Sequence, residues 1–212
     1  MVLRKVRGGA VGIALVLALA GCSGEGKGEA SGGGTGGGGE KAAAGPFTSS
    51  QVAQAIPGKL AAPKGWTGRT PQVQEGSEMQ EFCQLKGSWN CAGLTAVATT
   101  QHSKLDSNGE VDVDFQLLAY DSVDSAKVGL KTVVAHHHEK NPAAIKPLTI
   151  DVGADETDAY AKEETTVAAL RVGTVVALVY GDHLPKDQDL RSFATMQVQR
   201  ITTVAAGKNP DA

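Results

Sequence analysis

The sequence has no apolar run long enough to cross a membrane. Its most apolar stretch near the start covers residues 11–20, whereas a transmembrane helix needs about 20 apolar residues. This stretch follows Arg4, Lys5 and Arg7. Positive charge before a short apolar run is typical of a secretory signal and not of an anchor. We therefore expect residues 1–21 to be an export leader.

Cysteine is also scarce, with three in the chain. The first ends the segment Leu19-Ala20-Gly21-Cys22, which resembles the lipobox of bacterial lipoproteins. In that family the cysteine thiol receives a diacylglycerol, the leader is cut before the cysteine, and the new amino group often gains an acyl chain such as palmitate. The resemblance implies lipidation at Cys22 and anchoring to the outer face of the bacterial cell membrane, since two or more acyl chains hold a protein stably. The alternative is an ordinary secretory signal with an incidental cysteine.

The other two cysteines, Cys83 and Cys91, form an even pair in a chain expected to enter an oxidising compartment. A bridge between them closes a short loop and stabilises the fold by about 2.5 kcal/mol. The alternative is a structural zinc site, which needs four ligands, and two cysteines without a second pair do not supply them. We expect a disulfide.

A glycine-rich segment separates Cys22 from the rest of the chain. Residues 23–45 are nearly all Gly, Ala, Ser, Glu and Lys, without the apolar periodicity that a core requires. Such a coil has a root-mean-square reach of about 25–30 Å. We therefore assign residues 22–45 to a lipidated cysteine with a flexible tether, and residues 46–212 to a single extracytoplasmic domain.

Positive charge is sparse beyond the leader. The whole chain has a net charge of −3, and the leader holds three basic residues and no acidic one, so the remainder is more acidic still. No cluster of Lys and Arg follows. This balance argues against a nucleic-acid partner and against electrostatic attraction to anionic lipid headgroups.

The domain alternates between helical and strand patterns. Asn108-Gly109 is a strong hairpin signal between two strand-like runs, and Gly173-Thr174 divides a second hairpin. Helices are predicted near 48–56, 122–139 and 189–207; hairpins at 94–120 and 165–181; one or two short strands within 57–92; and a strand near 146–151. This order predicts an α+β fold, with a mostly antiparallel sheet and helices packed on one face.

Three segments carry a further resemblance: FTSSQVAQAIP, FQLLAYDSVDSAKVGL and VGADETDAYAKEE…ALRVGTVVALVYG. They resemble actinobacterial cell-surface lipoproteins, which are similar in turn to the extracellular sensor domain of a mycobacterial receptor serine/threonine kinase. The resemblance covers residues 47–206. It implies an α+β fold with a cleft, a ligand-binding or sensing role, and no catalytic residues. The chain departs from the kinase sensor in having one candidate disulfide instead of two.

The sequence offers little catalytic or metal-binding chemistry. Adjacent residues of a helix point about 100° apart, so His136, His137 and His138 cannot converge on one ion, and we expect no metal and no cofactor. There is no G-x-S-x-G motif of a serine hydrolase, and no cysteine remains as a nucleophile. Asp112 and Asp114 share a strand face and could do acid–base work. The remaining acidic residues predict a solvated loop: Asp151, Asp155, Glu156 and Asp158.

Both faces of the second hairpin are apolar, although strand residues alternate between faces. Residues 57–92 or a ligand must cover the outer face. We predict a cleft there for a small amphiphile, with Arg171 as the cation that orients an anionic group. Its predicted lining is Leu118, Tyr120, Arg171, Val176, Leu178 and Tyr180, with Trp66 and Trp89 as its wall. The predicted function is a noncatalytic ligand-binding or sensor-like lipoprotein; the alternatives are an envelope-acting hydrolase and a structural partner in an envelope protein complex.

Overall fold

The computed structural model describes residues 45–86, 90–107, 109–139, 142–184 and 187–212. The predicted leader, the lipidation site at Cys22 and the tether lie outside these ranges, and so does Trp89. Among the helices that the structure describes, none combines the length and the apolar composition needed to cross a membrane.

Four helices and eight strands make up the described domain. The helices are α1 (Ser49–Ala55), α2 (Gly76–Lys86), α3 (Val123–Glu139) and α4 (Asp187–Ala205). The strands are β1 (Thr67–Gly68), β2 (Gln72–Gln74), β3 (Leu94–Asp106), β4 (Gly109–Tyr120), β5 (Lys146–Pro147), β6 (Glu156–Lys162), β7 (Thr165–Val172) and β8 (Val175–Asp182). Short 3-10 turns occupy Lys59–Ala61 and Pro142–Ala144.

All paired strands are antiparallel, in the order β1-β3-β4-β8-β7-β6-β5, with β2 also pairing with β3. The predicted α+β class and mostly antiparallel sheet are confirmed. Both predicted hairpins are present, and the second turns at Gly173, whose φ of 58° suits glycine.

The predicted helix starts are satisfied locally. Thr48 and Gln51 form a capping box before α1: the Gln51 N–H donates to the Thr48 hydroxyl, and the Thr48 N–H donates to the Gln51 amide oxygen. Before α3, the Ser125 N–H donates to the Ser122 hydroxyl at 3.1 Å. These caps satisfy N–H groups that have no partner within the helix.

Two elements were not expected from the sequence. Residues 76–86 form α2, where irregular chain was predicted; its sequence is largely polar, and its apolar contacts are made by Met79, Phe82 and Cys83. Residues 156–158 belong to β6, which pairs with β7, so the predicted acidic loop is wrong at these positions. Cross-strand pairing outweighs their low intrinsic preference for strands.

The expectation that helices cover one face of the sheet is also wrong. On the inner face, α4 packs against β7 and β8 and α1 packs against β3 and α4, with Val52, Leu190 and Ile201 in the core. On the outer face, α3 packs through Ala126, Leu130 and Val133. Because neighbouring residues of a strand point to opposite faces, the apolar pattern on both faces of β7 and β8 requires two helical layers.

The contact between α3 and Tyr120 fixes the outer layer. Tyr120 is fully buried, and its hydroxyl donates to the Asn90 carbonyl at 3.4 Å. Burial raises the pKa of Tyr120 to about 12. Gly129 of α3 lies directly on this side chain, and a methyl group at Gly129 would overlap the ring and its hydroxyl. The absence of a side chain here allows the close approach.

We expect Gly129→Ala to destabilise the domain, although alanine is favoured over glycine in a helix by about 1 kcal/mol. The overlap with Tyr120 should cost about 1–3 kcal/mol and outweigh that gain. Chemical denaturation measures the net change. Val128→Ala is the matched control, because Val128 is 48% exposed and should lose little. A stabilised Gly129→Ala variant would contradict the packing.

A histidine lies in the inner core. His102 is fully buried, its Nε2 lies 3.2 Å from the Gly58 carbonyl, and its ring packs edge-on against Phe115. Burial lowers the pKa of His102, since the charged imidazolium cannot be solvated there. The folded state therefore holds His102 neutral at a pH where the unfolded chain already binds a proton.

This difference predicts a loss of stability as the pH falls below about 6.5, the pKa of histidine in an unfolded chain. Above that pH both states are neutral at His102; below it, only the unfolded state gains the proton. One such group gives a slope of up to about 1.4 kcal/mol per pH unit. In His102→Gln, denaturation between pH 8 and pH 5 should show a shallower slope.

His183→Gln is the contrasting control. His183 is exposed, and Asp182 and Glu164 raise its pKa, so its removal should change the slope in the opposite direction. Identical slopes for wild type and His102→Gln would exclude His102 as a source of the acid sensitivity.

Candidate functional site

The predicted outer-face cleft is filled by protein. Leu118, Tyr120, Val176 and Leu178 have no exposed surface, because α3 packs on them. A side chain without accessible surface borders no space that a water molecule can enter. The apolar half of the outer face is therefore core, and the prediction of a ligand cleft at these residues is wrong.

Arg171 is also committed to the protein. Its Nε donates to Glu156 at 2.8 Å, and its Nη1 donates to Asp155 at 3.0 Å and to the Gly173 carbonyl at 2.9 Å. The side chain is 8% exposed. These bonds join the β7–β8 turn to β6, so Arg171 does not offer a cation to a ligand as predicted.

Trp66 lies on the other face of the sheet. Its ring meets Phe193 of α4 edge-on at 4.9 Å, and the Lys104 Nζ lies 4.8 Å from the ring centre. Trp66 therefore supports the inner core instead of the predicted outer wall. Trp89, the other half of that wall, is not among the described residues.

The predicted disulfide between Cys83 and Cys91 is present. It joins α2 to the residues that precede β3, with a Cα–Cα distance of 6.2 Å. Cys83 is buried against the outer core, which includes Leu94 and Val97. Because α2 has few apolar residues, the bridge compensates for weak packing of this helix.

The three histidines of α3 do not converge. His137 lies between two tyrosines, with its Nδ1 2.6 Å from the Tyr160 hydroxyl and its Nε2 3.3 Å from the Tyr180 hydroxyl. His138 pairs with Asp158 at 3.2 Å. Burial raises the pKa of Tyr160 and Tyr180, which keeps both phenols protonated. In the described part of the chain, no group of three or more His, Cys, Asp or Glu side chains is placed to hold a metal ion.

Tyr180 marks the boundary between the apolar and polar halves of the outer face. Across the ladder it lies opposite Asp114, which in turn lies opposite Gln101, and one row nearer α3, Gln116 lies opposite Thr99. We call this polar half the outer-face polar patch. It comprises Gln74, Thr99, Gln101, Asp112, Asp114 and Gln116, all partly exposed.

Several acceptor oxygens of this patch have no hydrogen-bond donor among the described residues. The side-chain oxygens Oε1 of Gln74, Gln101 and Gln116 and Oδ1 of Asp112 are occluded from solvent, and the described residues give them no hydrogen-bond partner. An occluded acceptor without a donor costs about 1–3 kcal/mol. Four such oxygens lie on the adjacent strands β2, β3 and β4, and the exposed parts of the same side chains are what a ligand can reach.

The patch also holds two neighbouring carboxyl groups whose pKa values are raised. Burial and then the neighbouring Glu110 raise the pKa of Asp112, and burial and then Asp112 raise the pKa of Asp114. Arg69 opposes both shifts, and Gln101 hydrogen-bonds to Asp114. The surface therefore offers negative charge and acceptors, and it suits a ligand that brings several hydrogen-bond donors.

Sequence reasoning found that Asp112 and Asp114 share a strand face, but it did not find the site. The signal that could have found it is the same parity on the neighbouring strand, where Thr99, Gln101 and Ser103 share one face. Gln74 could not have been added, because β2 is only three residues long.

No protein-family model matches the chain, and no curated protein matches its sequence. Among solved structures, the extracellular domain of PknH from Mycobacterium tuberculosis is similar, with a TM-score of 0.48 and 12% identity over 75% of this chain and 98% of that domain. Such a distant likeness carries nothing about ligands.

We expect Gln116→Met to stabilise the free domain by about 1 kcal/mol, because it removes an occluded acceptor while keeping the side-chain volume. Chemical denaturation measures the gain. Gln72→Met is the matched control: Gln72 is exposed on the same face, so its replacement should change little. If Gln116→Met destabilises the domain, ordered water already donates a hydrogen bond to this oxygen, and the oxygen is not unsatisfied in solution.

Proposed function

We propose that this chain is a bacterial lipoprotein, held by acyl chains on Cys22 at the outer face of the cell membrane, and that its domain is a noncatalytic, sensor-like recognition module. The module contacts its ligand through the outer-face polar patch. The observation that carries the recognition role is the set of partly exposed amide and carboxyl side chains on three neighbouring strands, among them two carboxyl groups whose pKa values are raised. Natural proteins keep such destabilising groups where function requires them.

The location is supported by two features of the chain. The lipobox-like segment that ends at Cys22 follows a short apolar run, and disulfides such as Cys83–Cys91 persist in oxidising compartments outside the cytoplasm. The glycine-rich tether then gives the domain reach above the membrane.

The patch favours a particular ligand chemistry. Amide and carboxylate oxygens accept hydrogen bonds, so the ligand must bring hydroxyl or amine donors, as the sugars of an envelope glycan do. A small amphiphile, which the apolar half of the face would have suited, has no place there because α3 occupies it.

One observation favours the alternative of an envelope-acting hydrolase. Asp112 and Asp114 are neighbouring carboxyl groups with raised pKa values, a feature that general acids share. Asp114→Asn separates the two functions: a hydrolase should release soluble fragments from envelope material as wild type and none as the variant, whereas a recognition module should release none in either form.

The anchor is tested with Cys22→Ala in cells given an alkyne-tagged palmitate. Wild type should carry the tag and sediment with membranes, whereas Cys22→Ala should carry no tag and leave the membrane fraction, because no acyl chain then holds it. A Cys22→Ala protein that stays firmly on the membrane would refute the lipid anchor.

The recognition role is tested with the Gln116→Met variant, by sedimentation of the protein with insoluble envelope material. Binding should fall about tenfold when the patch loses the Gln116 amide, equivalent to about 1.4 kcal/mol. Gln54→Met, an exposed substitution on α1, should bind as wild type does. Equal binding by both variants would move the ligand surface away from the patch and favour a structural role in an envelope complex.

A further inference from the structure

A buried arginine lies on α4, away from the outer-face polar patch. Arg200 is 6% exposed. Its Nη2 donates to the Gln54 carbonyl at 2.8 Å and its Nε to the Ala55 carbonyl at 3.3 Å. These carbonyls belong to the last turn of α1, which has no donors of its own for them. The bonds fix the guanidinium in one orientation.

The edge of the guanidinium that carries Nη1 and Nη2 binds the carboxylate of Asp211 in the same chain. Arg200 Nη1 lies 2.5 Å from Asp211 Oδ1, and Nη2 lies 3.0 Å from Asp211 Oδ2. This is the two-bond geometry by which arginine recognises planar carboxylates. The bond to Arg200 lowers the pKa of Asp211, so Asp211 is ionised at neutral pH.

An open groove of about 430 Å³ continues from this pair. Leu60, Ala61 and Met196 give it an apolar wall, and Leu60 is 87% exposed. The groove is open to solvent, and the rest of its lining is Gln199, Thr203, Pro210, Asp211 and Ala212. A fixed guanidinium beside an uncovered leucine matches a molecule that joins a carboxylate to an apolar group.

We propose that this groove binds an organic carboxylate with an apolar side group, and that Asp211 is a built-in competitor for its place on Arg200. Two carboxylates cannot share one edge of a guanidinium, so ligand and Asp211 exclude each other. Asp211 belongs to the same chain and acts at a high effective concentration. A ligand therefore displaces Asp211 only if it is abundant, or if its apolar group gains enough binding free energy from contact with Leu60 and Met196.

The test uses the full chain, with N-acetyl-leucine as the probe and N-acetyl-leucinamide as its uncharged match, at constant ionic strength. Asp211→Ala should lower the melting temperature by about 5 °C, because a buried guanidinium loses its partner. N-acetyl-leucine should restore the loss, and it should bind this variant at least tenfold more tightly than wild type. The amide should do neither.

Leu60→Ser in the Asp211→Ala background isolates the apolar wall. It should weaken the binding of N-acetyl-leucine several-fold. The binding of acetate, a carboxylate without an apolar side group, should not change. Asp211→Asn, which keeps the side-chain shape, replaces Asp211→Ala if the latter does not fold. Equal affinity of N-acetyl-leucine for wild type and variant, equal action of the amide, or no rescue would each overturn the proposal.

Discussion

The domain depends on a single constraint: the hairpin of β7 and β8 is apolar on both of its faces. A strand with one apolar face needs one layer of cover, whereas a strand with two needs a layer on each side. Val175, Ala177 and Val179 lie under α4, and Val176 and Leu178 lie under α3. The sheet becomes the middle of three layers, and the remaining strands extend from this centre.

The outer layer is shorter than the sheet it covers. Leu118 and Leu178 are buried, and polar side chains begin at Gln116 on β4 and at Tyr180 on β8. The outer-face polar patch thus begins where helical cover ends. The polar side chains of the patch lie beyond the buried core. Packing does not dictate their identity there, so the protein can use these positions for binding groups.

The sequence predicts the long, strongly patterned elements well. The β3–β4 hairpin, the β7–β8 hairpin, α1, α3 and α4 each have local signals of period, turn and cap. Helix α2 has no such pattern, and the disulfide and the side chains of Met79 and Phe82 hold it. The faces covered by helices are set by packing between distant segments, which one sequence does not encode locally. The role of Arg171 was missed for the same reason. In the sequence it looks like an unpaired cation, because Asp155 and Glu156 come beside it only when β6 pairs with β7.

The chain enters the domain at one end of the central hairpin. The Thr174 hydroxyl, in the β7–β8 turn, lies 3.5 Å from the Gly45 carbonyl, where the described chain begins. Asp182 and its neighbour Asp112 lie at the far end of β8, roughly 26 Å from Thr174 at 3.3 Å per strand residue. A tether from Cys22 would therefore join the domain at its turn end, about the length of β8 away from the acidic end of the patch.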